Sequence, residues 1–174
     1  MDNIEKTIDI INRMTKDGVI ENYALGGATA VIFYTEPIAT EDIDIFVHVR
    51  QEGQIILMEF QPIFDYLRKL GYEIKGEHVY IEGFPVQFLP VTKDLINEAL
   101  IEANEFKLSG GVKVRVMSPE YLVAIMLDTG RMKDFLRINV FLLHDAVNLE
   151  ELQIVLEKHN LAEKWRKNIE RFQI

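Results

Sequence analysis

The sequence contains no cysteine, so disulfides, thiolate nucleophiles and Cys-ligated zinc are all excluded. Tryptophan occurs once, at Trp165, and reads as packing rather than as a base-stacking platform. Long apolar runs are missing too: polar or charged residues interrupt each one well before the roughly 20 residues that a membrane span needs. No membrane partner is expected. Basic charge is scarce, with 19 Lys and Arg against 28 Asp and Glu and a net charge of −9. A duplex-binding surface needs a basic excess, so duplex DNA is not an expected partner. Residues Met1 to Lys6 lack the basic-then-apolar order of a secretion signal, which makes the expected location cytoplasmic.

What is present suits a folded domain. The 174 residues are 48% apolar and 27% charged, enough for a real core in one domain or one domain with a small helical extension. The acidic excess lies mostly before Ser118. A basic cluster closes the chain (Lys158, Lys164, Arg166, Lys167, Arg171) and reads as a solvated helix face, with contact to RNA or phosphate as the alternative.

Ile4, Ile8, Ile11 and Met14 recur at helical spacing, and Gly18 can end that helix. Tyr23-Ala24-Leu25 then runs into Gly26-Gly27, with a short helix expected over Ala28 to Tyr34. Asp42 to Val49 alternates apolar and polar residues as a half-buried strand does. A helix is expected within Gln54 to Leu70, then strands over Tyr72–Lys75, His78–Glu82 and Pro85–Leu89, and a helix from Thr92 or Asp94 to about Asn104. A strand over Val112–Met117 follows. Ser118-Pro119-Glu120 is a helix start, and only helices are expected beyond it. The fold class expected is α+β: a mixed central β-sheet flanked by helices with a C-terminal helical extension. Its boundary falls near Ser118, with residues 1–117 as the core and 118–174 as a helical subdomain.

One constellation carries chemistry. Alternation along a strand projects Asp42 and Asp44 from the same face, at a separation that a divalent cation can span. Two neighbouring carboxylates repel each other, and a bound Mg²⁺ is the usual compensation. Gly26 and Gly27 form a strand-to-helix turn that lets a phosphate approach the backbone, and Thr29 could donate a hydroxyl to the same phosphate. His48 shares the aspartates' face but sits at the far end, where a structural or solvent-facing role is expected. Phe33 and Tyr34 read as core rather than as a platform for a nucleobase, and His78, His144 and His159 lack ligand-like spacing.

Leu25-Gly26-Gly27 followed by Thr40-Glu41-Asp42-Ile43-Asp44-Ile45-Phe46-Val47 resembles the signature of the DNA polymerase β-like nucleotidyltransferase superfamily. Within it, the similarity points to small prokaryotic proteins related to abortive-infection nucleotidyltransferase toxins. Val86-Gln87-Phe88-Leu89-Pro90, Ser118-Pro119-Glu120-Tyr121-Leu122 and Gly130-Arg131-Met132-Lys133-Asp134 resemble that group's later core strand and helical motif. The resemblance implies the nucleotidyltransferase fold. It also implies a Mg²⁺-dependent transfer of a nucleoside monophosphate from a nucleoside triphosphate to a hydroxyl of a protein, RNA or small molecule. Asp42 and Asp44 would then be the catalytic, metal-binding pair. Gly26, Gly27 and Thr29 would hold the triphosphate, and Arg131 and Lys133 would contact its phosphates.

Three positions depart from that pattern. Gln87 stands where many active members carry a third carboxylate, Met126 where a lysine is usual, and Arg137 where a further acid is expected. Glu82 and Asp128 are possible substitutes for the missing acid. The departures keep open a second reading, a degenerate member that binds nucleotide or a partner, as a toxin–antitoxin component would, without turnover.

Overall fold

The computed structural model describes residues 3–36, 40, 42–48 and 60–169. Seven strands form one mixed sheet: β1 (Asn22–Leu25), β2 (Ile43–His48), β3 (Glu73–Lys75), β4 (His78–Ile81), β5 (Phe84–Pro90), β6 (Asn104–Lys107) and β7 (Lys113–Val116). Their order across the sheet is β3-β4-β5-β2-β1-β7-β6. β2 is therefore interior, antiparallel to β1 and parallel to β5. Eight helices accompany the sheet among the described residues: α1 (Asn3–Lys16), α2 (Gly27–Val31), α3 (Gln61–Lys69), α4 (Asp94–Ile101), α5 (Pro119–Thr129), α6 (Met132–Leu143), α7 (Leu149–Lys158) and α8 (Ala162–Asn168). This is the α+β arrangement expected.

Local chemistry accounts for the main elements. In β2, Ile43, Ile45 and Val47 are buried, while Asp44, Phe46 and His48 between them stay partly exposed on the other face. Glu82 and Gly83 both adopt positive φ, at 51° and 92°, which suits the two-residue turn joining β4 to β5. Ser118 precedes α5, Pro119 occupies its first turn, and Gly130 closes it in the left-handed region at φ 72°. Asp134 caps the next helix by accepting the Arg131 backbone N–H at 3.2 Å.

One apolar cluster joins the sheet to both helical layers. Ile8, Ile11 and Met14 of α1 belong to it, as do Ile63 and Leu67 of α3, Leu122, Val123 and Leu127 of α5, and Phe141 of α6. α5 packs on α4, α6 and α7, and α2 touches β2, α5 and α6. The helices after Ser118 thus lean toward the end of the sheet where β2 begins.

The chain differs from the sequence expectation at two places. The helix expected to reach Asn104 stops at Ile101, and Asn104 to Lys107 forms β6 at the sheet edge, antiparallel to β7. The helix expected over Ala28 to Tyr34 lasts only to Val31 as an α-helix. Most of Gln54 to Phe60, together with Pro37, Glu41 and Val49, lies outside the described residues. No helix among the described residues is long and apolar enough to cross a membrane.

Candidate active site

The register between β1 and β2 sets the site. Leu25 pairs with Ile45, so the next residue, Gly26, comes to lie beside Asp44, and its N–H donates to the Asp44 carbonyl at 3.0 Å. Gly27 follows with φ +55°. A Cβ on Gly27 would lie 1.7 Å from Oδ2 of Asp44, and one on Gly26 would lie 2.4 Å from the Phe46 ring. Contact therefore favours glycine at both positions, and at Gly27 the backbone angle favours it as well. They press the bend directly against the carboxylate.

Asp42 and Asp44 line one cavity of 450 Å³ together with Gly27, Gln87, Arg131, Lys133 and Arg137. Burial pushes the Asp44 carboxyl above its ordinary range, and the neighbouring Asp42 charge pushes it further; Arg137, Lys133 and Arg131 pull it back, in that order. Asp42 is fixed through its backbone, since the hydroxyls of Thr29 and Thr40 both donate to its carbonyl at 2.8 Å. Thr29 is buried and its hydroxyl is committed there. It does not line the cavity, and neither does Gly26.

The parallel pairing of β2 with β5 puts Gln87 directly opposite Asp44, and β4 puts His78 opposite Gln87. Nε2 of His78 stands 3.5 Å from Oδ2 of Asp42. An amide can neither take a proton nor match a carboxylate as a metal ligand. Among the described residues no group of three His, Asp or Glu side chains is arranged to hold a metal ion. Asp134 also lines the cavity but is engaged by Arg131, so the donors available among the described residues are two carboxylates, one nearby imidazole and whatever oxygens a substrate brings.

The facing wall comes from the start of α6. Asp134 is 1% exposed and accepts from Nε of Arg131 at 2.8 Å and from Nη2 at 3.2 Å, which pins that guanidinium. Lys133 and Arg137 are four residues apart, so they share a helix face and enter the same cavity. The rest of the lining is mostly apolar, including Leu89, Ile96, Met117 and Leu122, with Met126 at the position where a lysine was expected. Such a cavity is the right size for a small ligand with one charged and one apolar end.

Other candidates fall away from this place. Glu82 accepts from the Tyr72 hydroxyl at 2.8 Å, and Asp128 is held by Lys93 at 2.5 Å; neither lines the cavity. His48 is bonded to Asn97 at 2.7 Å, and Phe33 and Tyr34 pack on Phe106. A larger open cleft of 680 Å³ lies between α1 and β6–β7, but several of its polar side chains are already engaged within the fold. There Arg115 donates to the carbonyls of Leu100 and Ile101, and Tyr23 donates to Asn12. Sequence reasoning passed over His78 and counted Arg137 only as a missing acid. The four-residue spacing from Lys133 was the signal that could have placed Arg137 here.

The sequence matches no protein-family model and no curated protein. Solved structures do match. The chain is similar to an antigenic nucleotidyltransferase-like protein from Paracoccidioides brasiliensis, with a TM-score of 0.56 and 16% identity over 99% of this chain and 93% of that one. It is also similar to the antibiotic-resistance factor ANT(2'')-Ia in solution, with a TM-score of 0.54 and 15% identity over 98% and 99% of the two chains. The crystal structure of ANT(2'')-Ia with adenylyl-2''-tobramycin gives 0.50 and 14% over 86% and 94%. The chain has the nucleotidyltransferase fold.

Proposed function

We propose that this chain transfers a nucleoside monophosphate from a nucleoside triphosphate to an acceptor hydroxyl, with Mg²⁺ held by Asp42 and Asp44. The observation that carries this reading is the meeting of three features on one cavity: the two carboxylates, the glycine bend and a wall bearing Arg131, Lys133 and Arg137. In this reading residues 1–117 supply the carboxylates and the bend, and residues 118–174 supply the cationic wall. The fold shared with ANT(2'')-Ia, whose crystal structure holds adenylyl-2''-tobramycin, supports the same class of transfer.

The residues present fit the ion. Magnesium commonly takes one or two carboxylates, keeps several waters and completes its shell with substrate phosphates. Asp42 and Asp44 offer that minimum, and Asp44, raised first by burial and then by the Asp42 charge, is a carboxylate that a bound cation would favour. Bound there, the ion supplies charge neutralisation along the phosphates. Arg131 and Lys133 add fixed positive charge opposite, and Gly27, having no side chain, lets the Asp44 carboxylate lie against the bend. In the reaction the acceptor oxygen bonds to the α-phosphorus, the bond from that phosphorus to the bridging oxygen breaks, and pyrophosphate leaves. The hydroxyl proton passes to a base other than Gln87, whose amide cannot take it. The resemblance to abortive-infection nucleotidyltransferases makes protein and RNA the first acceptors to test.

A second reading, nucleotide binding without turnover, is favoured by one observation: Gln87 occupies the place opposite Asp44. The two are separated by incubating the protein with Mg²⁺, each α-³²P-labelled triphosphate and protein, RNA or cell extract. Transfer of label that disappears in Asp44→Asn is the expected result. Triphosphate binding by calorimetry with no label transferred to any acceptor supports the second reading. Absence of both ends the proposal.

A further inference from the structure

Arg137 has a guanidinium with little to do. Its side chain is 20% exposed, and its one ion pair among the described residues, Nη1 to Oδ1 of Asp134, is 3.6 Å long, beyond a good hydrogen bond. Asp134 is already taken by two side-chain bonds and one backbone bond from Arg131. Among the described residues the Arg137 side chain makes no hydrogen bond. A guanidinium has five donors, and leaving them unmet in a partly desolvated place is costly unless a ligand completes them. This one lines the cavity that holds Asp42 and Asp44.

The opposite wall lacks what a second divalent ion would need. Such an ion requires another anionic oxygen beside the two carboxylates, and the position opposite Asp44 carries the neutral amide of Gln87. His78, next across the sheet, already stands within 3.5 Å of Asp42. A second cation would also enter against the charges of Arg131, Lys133 and Arg137. Acid is missing on one wall and base has been added on the other.

Resting on the nucleotide-transfer reading, we infer that the site takes a single divalent ion per triphosphate and that Arg137 binds the phosphates, supplying the charge a second ion would bring. Its planar fork suits two phosphate oxygens at once. Lys133, one helical turn before it, addresses the same group as a point charge, while Arg131 is held back by Asp134.

Two measurements test this. Mn²⁺ bound in the presence of saturating ATP is counted by electron paramagnetic resonance, and ATP affinity is measured by calorimetry in Mg²⁺. The expected results are one Mn²⁺ per chain and a loss of ATP affinity of about tenfold or more in Arg137→Gln. Arg137→Lys keeps the charge but not the fork, so it should fall between wild type and Arg137→Gln, and it carries the test if Arg137→Gln does not fold. Two Mn²⁺ per chain, or an ATP affinity indifferent to either substitution, overturns the inference while leaving nucleotide transfer standing. A wild-type protein that binds no triphosphate in Mg²⁺ overturns both.

Discussion

Asp44 sits between Gly27, which would collide with it if it carried a side chain, and Asp42, whose charge repels it. Its carboxyl titrates above the ordinary range because it is buried and because Asp42 is near. A carboxyl with a raised folded value adds stability below its unfolded pKa of about 3.9 and loses it as pH climbs through the folded value. Above that window the metal-free protein bears the penalty of an ionised Asp44. Asp44→Asn should raise the melting temperature of the metal-free protein at pH 7, with the difference from wild type shrinking toward pH 4. Melting curves across that range decide the matter; a variant less stable at pH 7 would show that the carboxylate is held by favourable contacts. The same substitution is expected to abolish label transfer, so stability and activity should move in opposite directions.

At the scale of elements, some were legible and one was not. β2 could be read because its alternation is local, and α5 because Ser118, Pro119 and Gly130 mark its ends. The glycine bend and the aspartate pair were legible together for the same reason. β6 was missed because nothing within Asn104 to Lys107 specifies a strand. It exists through pairing with β7, from Asn104 opposite Val116 to Lys107 opposite Lys113, and through Phe106 packing on Phe33 and Tyr34. Tertiary contact outvotes local preference there. Phe106→Ala should then cost about 1–3 kcal/mol in urea unfolding, less than the full loss for a deeply buried ring because Phe106 is only half-buried. A cost near zero would mean that the edge strand contributes little to the sheet. The role of Thr29 was hidden for a related reason. Its hydroxyl reaches the Asp42 carbonyl, thirteen residues away in sequence, and only the folded turn brings them together.

For the whole molecule, charge is the dominant global fact. A net charge of −9 on 174 residues sets up self-repulsion in the compact state. Salt shortens the reach of that repulsion, with a Debye length of about 30 Å at 0.01 M falling to about 8 Å at 0.15 M. The melting temperature at neutral pH should rise over that interval, by about 2–4 °C if roughly 1 kcal/mol of repulsion is screened. Calorimetric scans at both salt concentrations measure it, and a falling melting temperature would indicate that attractive pairs such as Lys158 with Glu98 outweigh the repulsion.

The interior position of β2 has one more consequence. Its backbone is bonded to β1 on one edge and β5 on the other, and hydroxyls from two threonines clasp the carbonyl where it begins. The strand that carries the acids cannot drift sideways to ease their quarrel, so the tension stays in place until a visitor of opposite sign arrives. If the pair takes a cation as proposed, binding to the folded state alone would raise the melting temperature, and a simple melting assay would rank metals before any acceptor is known.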